Sequence, residues 1–316
     1  MDDGSRNEKR LGWIGCGRMG LALGTRLLAA GCDLAVYNRT RAKAEPLAEL
    51  GATIVGAPPE LADRDIVFTT LAGPTDFEQV VAGPGGLLSD PDAAPSVIVD
   101  STTISAEASE RVRAKAAARG TALLAAPVSG NPKVVRAGRL TMVLSGPEDA
   151  YAEVLPFLEI LAGGGVTYAG DGDRARLVKV CHNLMLGIIA QTLAEILVLG
   201  EKGGVSRAST MEFLNNSVLG STFTRYKTPA YVNLDFSPTF TPALLLKDFE
   251  LGQEAARELG VPMPVAAAAA QVVQGLVAAG YTEVDFAALI ELQAKLSGLE
   301  LEPEGAPVSD GLDQAA

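Results

Sequence analysis

Lys179 and Asn183 stand four residues apart in the apolar stretch Leu177-Val178-Lys179-Val180-Cys181-His182-Asn183-Leu184-Met185. At helical spacing the two share a face. His182, the only histidine, falls three residues from Lys179, near that face. An ammonium group on a mainly apolar helix is costly to bury without partners. One reading is a lysine whose stem lies on apolar surface while its amine stays in water. The other is a general acid. When a carbonyl is reduced, negative charge grows on oxygen, and a nearby ammonium stabilises and then protonates it. Partial desolvation lowers a lysine pKa and suits such proton exchange near neutral pH. Asn183 would then hold the substrate hydroxyl or orient the lysine. His182 reads first as structural and is a secondary candidate.

A reductant is implied by a second motif. Leu11-Gly12-Trp13-Ile14 is a short apolar run, followed by Gly15-Cys16-Gly17-Arg18-Met19-Gly20 and then by an apolar helical pattern at Leu21, Leu23, Leu27 and Leu28. That is strand, glycine turn, helix. Gly15 allows the bend, Gly17 lets backbone approach a pyrophosphate, and Gly20 lets helix pack on strand. With Arg18 and Met19 between them, the helix start offers N–H groups and a positive dipole end. A dinucleotide is the expected ligand. The next strand, Asp33 to Tyr37, leads into Asn38-Arg39-Thr40, where an adenosine ribose would lie. An acid there holds the ribose hydroxyl in NAD enzymes. This chain has Arg39 instead, and a guanidinium pairs bidentately with phosphate. The spacing therefore favours NADP, with NAD possible, unless Arg39 merely solvates a loop. Leu71 and Ala72 leave a further strand, and their backbone should flank the cofactor.

Three more groups are candidates. The hydroxyls of Asp100-Ser101-Thr102-Thr103 either cap the helix that follows or reach ribose, nicotinamide or substrate. Lys247-Asp248 interrupts an apolar helix, as an ion pair or as a group near the nicotinamide. Arg225 and Lys227 sit in a loop-like stretch and are solvated cations or anion binders; neither is assigned a role.

The elements that must position these residues alternate between strand and helix up to Tyr168, which means a doubly wound, mostly parallel sheet. Expected strands include Ile66 to Leu71, Val97 to Asp100, Leu123 to Val128, Leu140 to Ser145 and Val166 to Tyr168. From about Asp171 onward only helical periodicity remains. Ala175 to Lys202 reads as one long helix. The predicted organisation is a Rossmann domain over residues 11–171 and an all-α domain for substrate and oligomerisation over 172–300, joined by that long helix. Flexible tails are expected at 1–10 and 301–316.

Bulk properties narrow the partners. The chain has 316 residues, 48% hydrophobic, with a net charge of -12. Such acidity argues against nucleic acid and against an anionic membrane surface. The apolar stretch from Leu184 to Gly200 carries Gln191 and Glu195, so it reads as a buried helix rather than a membrane span. Three scattered cysteines make neither a disulfide framework nor a metal spacing, and no metal is expected. With no signal-peptide core in Met1 to Arg10, the expected compartment is the cytoplasm. A long buried helix suggests a homodimer or homotetramer.

Taken together and in order, the motifs resemble the β-hydroxyacid dehydrogenases, relatives of 3-hydroxyisobutyrate dehydrogenase and 6-phosphogluconate dehydrogenase. The resemblance covers nearly all of residues 10–298. It implies a catalytic Lys179 with Asn183, substrate held by Thr102 and by Ser129 and Gly130 of a Pro127-Val128-Ser129-Gly130 loop, and Thr103 and Lys247 toward the cofactor. It further implies an NADP-dependent oxidoreductase moving a hydride between nicotinamide and a small anionic substrate, a 3-hydroxy acid or its semialdehyde, or a related small aldehyde. Gly130-Asn131 departs from the Gly-Gly of many members. Imine reductases share the architecture but usually place Asp or Tyr where Lys179 stands. A non-catalytic NADP-binding protein is the remaining alternative.

Overall fold

Strand β1 (Arg10–Ile14) shows why the first half is a two-faced sheet. Leu11 and Trp13 enter one apolar core, while Ile14 enters the core on the other side. That is the period-two alternation of a strand buried on both faces. The computed structural model describes residues 9–312. After β1 come α1 (Arg18–Ala29), β2 (Asp33–Tyr37), α2 (Glu45–Ala48), β3 (Thr53–Ile54), β4 (Ile66–Thr69), α3 (Pro74–Ala82), β5 (Val97–Asp100), α4 (Ala106–Ala117) and β6 (Ala122–Ala125). These strands form a six-stranded sheet in the order β3-β2-β1-β4-β5-β6, every pair parallel. The order reverses beside β1, the switch point at which such sheets bind ligands.

The expected single strand from Leu123 to Val128 is broken. β6 ends at Ala125, and β7 (Val128–Ser129) begins a second sheet. Pro127 lies between them and has no N–H to donate to a ladder. After α5 (Pro132–Arg136), the strands β8 (Thr141–Leu144) and, beyond α6 (Glu148–Leu161), β9 (Gly165–Tyr168) complete this sheet in the order β7-β8-β9. β7 and β8 run antiparallel, and β8 and β9 parallel.

From there to Leu296 the elements are helical: α7 (Arg174–Lys202), α8 (Arg207–Asn216), α9 (Thr222–Asn233), α10 (Pro242–Glu258), α11 (Pro264–Ala278) and α12 (Leu289–Leu296). The chain divides into two compact units between Lys179 and Val180, within α7. α7 is long and apolar enough to cross a membrane by length and composition, yet half of its most apolar window is buried in the protein. Ala190, Leu193, Ala194, Leu197 and Val198 of α7 join the second unit's core with Tyr231, Phe249, Val273 and Ile290. Two glycines bring α7 and α10 together. A Cβ on Gly187 would run into the Phe249 ring, and one on Gly252 would meet Leu184 at 2.6 Å.

Two expectations are corrected here. Residues 222–227 are not a loop but open α9, whose Pro229 and low apolar periodicity hide it. A capping box between Ser221 and Thr224 starts that helix. Residues 301–312 have no helix or strand, yet they are not a loose tail. Leu301, Ala306 and Val308 pack on the helical core, and the Glu304 carboxylate accepts the N–H groups of Arg207 (2.6 Å) and Ala208 (3.0 Å) at the start of α8. Residues 1–8 and 313–316 of the expected tails lie outside the described residues.

Candidate functional site

The three glycines of the first turn divide their work. Gly15 has φ +100°, and a Cβ there would run into the Thr70 carbonyl. Gly20 lies so close to the strand that a Cβ would strike the Gly15 carbonyl, which also accepts the Trp13 indole N–H at 3.1 Å. Gly17 is different. Its backbone is extended (φ -71°, ψ -172°), and no atom of the described residues lies within 4 Å of where its Cβ would be. Two glycines therefore serve the fold, and the third leaves open space at the start of α1. The first turn of α1, Arg18-Met19-Gly20, presents its N–H groups and positive dipole end there.

The turn is tied to the end of β2. Gly15 N–H donates to the Tyr37 carbonyl at 3.0 Å, and Cys16 N–H donates to Asn38 Oδ1 at 2.8 Å. Asn38 Nδ2 donates in turn to the Thr40 carbonyl at 2.8 Å. Both ends of the Asn38 amide are thus spent on the protein itself. Cys16 is buried, and desolvation pushes its thiol up to about 11, so it remains a protonated packing group at neutral pH. Arg39 extends into solvent, its side chain 84% exposed, with Nη1 3.0 Å from Asp76 Oδ1 at the start of α3. An exposed pair of this kind contributes about 0–1 kcal/mol and is readily exchanged. Thr40 and Ala72 are exposed, and Leu71 is half-buried.

A buried network ties together the carboxyl ends of β4 and β5. Asp100, fully buried, accepts the Thr69 hydroxyl (2.6 Å) and the Thr102 N–H (3.1 Å) on Oδ1. Its Oδ2 accepts Arg176 Nη2 at 2.7 Å. Thr102 is also buried, and its hydroxyl accepts the Leu71 N–H at 3.1 Å. The residue expected to face substrate thus also joins two strand ends. Thr103 is half-buried. Ser129 closes β7, and Gly130 follows with φ +136°. Asn131 caps α5: its Oδ1 accepts the N–H groups of Lys133 (2.9 Å) and Val134 (3.1 Å), while its buried Nδ2 has no hydrogen-bond partner among the described residues.

On α7, Lys179 is half-buried and Asn183 is buried. Within the helical unit Asn183 Nδ2 donates to Asp248 Oδ2 at 2.5 Å, and Asn183 Oδ1 lies 2.9 Å from His182 Nδ1. The other Asp248 oxygen is buried without a hydrogen bond, with Lys247 Nζ 3.6 Å away. Arg225 donates to the Asn215 carbonyl at 2.7 Å. Lys227 is buried and ion-paired with Asp285, its Nζ 4.3 Å from the centre of the Phe286 ring. Lys227 is thus a structural cation of the helical unit.

Comparison with known proteins bears on this arrangement. Residues 10–170 match the model for the NAD-binding domain of 6-phosphogluconate dehydrogenase, and residues 173–293 the model described as NAD-binding of NADP-dependent 3-hydroxyisobutyrate dehydrogenase. The chain belongs to the β-hydroxyacid dehydrogenase family. As a member it is an NAD(P)-dependent oxidoreductase acting on CH–OH groups. It is 32% identical over 294 residues to 2-(hydroxymethyl)glutarate dehydrogenase of Eubacterium barkeri, covering 92% of this chain and 97% of that one. Among solved structures it resembles Mycobacterium tuberculosis 3-hydroxyisobutyrate dehydrogenase with L-serine (28% identity, TM-score 0.77, 90% of this chain and 98% of that one). It also resembles Psf3 in complex with NADP+ and 2-OPP (26% identity, TM-score 0.79, 89% and 99%).

The residues fit the dinucleotide of such dehydrogenases. The open space at Gly17, next to the N-terminus of α1, suits a pyrophosphate. Sequence reasoning overlooked Arg176 in this family member. Its only local signal is an arginine three residues before Lys179, and its partner Asp100 lies far back in the chain.

Proposed function

We propose that this dehydrogenase is a cytoplasmic, NADP-preferring enzyme that interconverts a small 3-hydroxy acid and its semialdehyde. Two relatives support the substrate class. The acid named for the Eubacterium barkeri enzyme, and the L-serine present with the Mycobacterium tuberculosis structure, each carry a hydroxyl on the carbon β to a carboxylate. When bound, the nicotinamide supplies or accepts the hydride at the carbon bearing that oxygen. Lys179 handles the accompanying proton. In reduction its ammonium stabilises the charge growing on the carbonyl oxygen and gives up a proton to it; in oxidation the neutral amine takes the hydroxyl proton. Ser129 and the backbone of Gly130 hold the carboxylate, and Asn183 holds the reacting oxygen. Arg18, Met19 and the glycines receive the pyrophosphate, Arg39 the 2′-phosphate, with Leu71, Ala72, Thr103 and Lys247 along the rest of the cofactor.

The observation carrying this reading is that Lys179 is followed, four residues on along the continuous helix α7, by an asparagine that is buried and held by Asp248. An isolated lysine on a solvated helix face would need no such neighbour. The test is a panel of small hydroxy acids, semialdehydes and cyclic imines followed by NADPH absorbance, run on wild type and Lys179→Ala. Turnover of hydroxy acids or semialdehydes that falls by about 10²–10⁴ in the variant, with NADPH still bound, supports it. A folded variant with normal turnover overturns the lysine's role, and turnover of imines alone overturns the substrate class.

Assembly as a homodimer or homotetramer is part of the proposal. Leu199, Phe213, Leu259 and Val265 of the helical unit are each more than 60% exposed, and burial of such side chains against a second copy would favour assembly. Light scattering of the purified protein tests this directly.

A further inference from the structure

Arg176 does more than its distance from any reacting group suggests. It lies in the first turn of α7 with a side chain only 7% exposed. Its guanidinium is shared among three acceptors: Nη2 donates to Asp100 Oδ2 at 2.7 Å, Nη1 to the Thr102 carbonyl at 2.8 Å, and Nε approaches Asp173 Oδ1 at 3.4 Å. Asp173 is itself held by the Ser109 hydroxyl (2.7 Å) and by Arg113 Nη2 (2.8 Å). Asp100 ends β5, with Thr69 at the end of β4 on its other oxygen. Every one of these residues belongs to the first unit, as does Lys179.

The planar fork of an arginine fixes direction as well as distance, because two acceptors must lie in its plane. Here those acceptors are a strand end and the carbonyl two residues beyond it. The fork therefore sets both the height and the rotation of the first turn of α7 against the carboxyl ends of the sheet. Lys179 is three residues further along a continuous helix, about 4.5 Å of rise, on the same side as Arg176. A helix turn anchored at residue 176 has little freedom left at residue 179.

We infer that Arg176 is the positioning residue for Lys179, holding the helix that carries the proton donor against the Asp100–Thr102 segment at the cofactor end of the sheet. This rests on the reading of Lys179 as the acid/base. A buried ion pair kept for stability alone would be a poor use of these groups, since apolar residues of similar volume often stabilise as well or better. Its value is geometric: the pair specifies one placement of α7.

The test uses Arg176→Lys, which keeps the charge but cannot reach two acceptors in one plane, and Asp100→Asn, which keeps the shape and removes the counter-charge. For each, NADPH affinity is measured by cofactor fluorescence, and kcat is expressed per bound NADPH so that unfolded protein does not count. The expected result is a fall in kcat of about 10²-fold, the scale of a misplacement near 1 Å, with NADPH Kd within about threefold and a shifted pH profile of kcat. In a Lys179→Ala background, adding Arg176→Lys should change the residual rate by less than about threefold, because the two act as one unit. Wild-type kcat per bound NADPH in both single variants overturns the inference. So does an equal fold-loss from Arg176→Lys with and without Lys179, since that is the mark of a purely structural role. If Lys179→Ala itself keeps full turnover, the reading beneath fails instead, which separates the two.

Discussion

Asn183 donates through Nδ2 to Oδ2 of Asp248 at 2.5 Å, and both side chains are buried. Rotating the amide would cost Asp248 this hydrogen bond and leave it only the Lys247 amine, 3.6 Å from its other oxygen. Asn183→Ala should therefore destabilise the helical unit by about 1–3 kcal/mol as well as lower kcat/KM. Asp248→Asn should retain most of the stability, with the loss falling on kcat/KM. Thermal melts paired with steady-state kinetics separate the two effects. Equal stability and equal kinetics in both variants would remove the pairing from the site.

Gly15 and Gly17 should fail in different ways. Alanine at Gly15 meets the Thr70 carbonyl and a left-handed backbone, so the fold loses more than about 1 kcal/mol. Alanine at Gly17 meets nothing and needs no unusual φ. Gly17→Ala should melt within a few degrees of wild type yet bind NADPH about tenfold or more weakly, because its methyl would intrude on the proposed pyrophosphate site. Calorimetry with and without cofactor reads both quantities.

The proposed role of Arg39 in cofactor choice can be tested directly. Arg39→Ala should lower kcat/KM for NADPH relative to NADH by about tenfold or more, the worth of a charge-assisted bond to phosphate. Asp76 holds the same guanidinium at 3.0 Å and competes for it. Asp76→Asn should raise the NADPH preference a few-fold while changing stability by less than about 0.5 kcal/mol, as befits an exposed pair. An unchanged NADPH/NADH ratio in Arg39→Ala removes the phosphate assignment.

The Lys227–Asp285 pair sets an acid-stability signature. Burial raises the Asp285 carboxyl pKa, but the charge and hydrogen bond of Lys227, the Ala287 N–H and the Thr239 hydroxyl outweigh it, and the net direction is downward from 3.8. A depressed folded pKa gives stability that is present above the unfolded value and lost as pH falls through the folded one. Wild type should lose this contribution only below about pH 4. Asp285→Asn should cost about 3–5 kcal/mol at neutral pH, by stranding a buried ammonium, and should show a flatter stability profile on acidification below that point. Urea titrations at stepped pH give the comparison.

What could be read from the residues alone follows from how local each signal is. The glycine turn is legible because three positions within six residues obey one backbone rule. β2 and β5 are legible because their side chains and flanking turns agree. Helix α9 is hidden by Pro229 and by a mixed polar pattern, and only its Ser221–Thr224 cap marks it. The departure at Asn131 is explained by the helix it caps, a turn too short to show periodicity. Thr102 and Thr103 look alike in sequence; which hydroxyl turns inward depends on Leu71, a residue 31 positions away. Arg176 is further out of reach, since its carboxylate partner lies 76 residues back. Spacing along a helix shows which side chains share a face, but the partner waiting there is set by the fold.

The segment around Glu304 bears on how the molecule is made. Its carboxylate closes the start of α8, the buried Arg207 guanidinium reaches the Val232 carbonyl at 3.0 Å, and the Ala306 carbonyl accepts from Asn233 Nδ2 at 3.0 Å. A nascent chain that has emerged only as far as α12 would have α8 capped by Ser206 alone, the N–H groups of Arg207 and Ala208 still unanswered, and the end of α9 unclasped. The helical unit can therefore finish folding only after translation has passed this clasp. Premature termination just before it would release a product whose defect is a missing fastening, with every helix already synthesised.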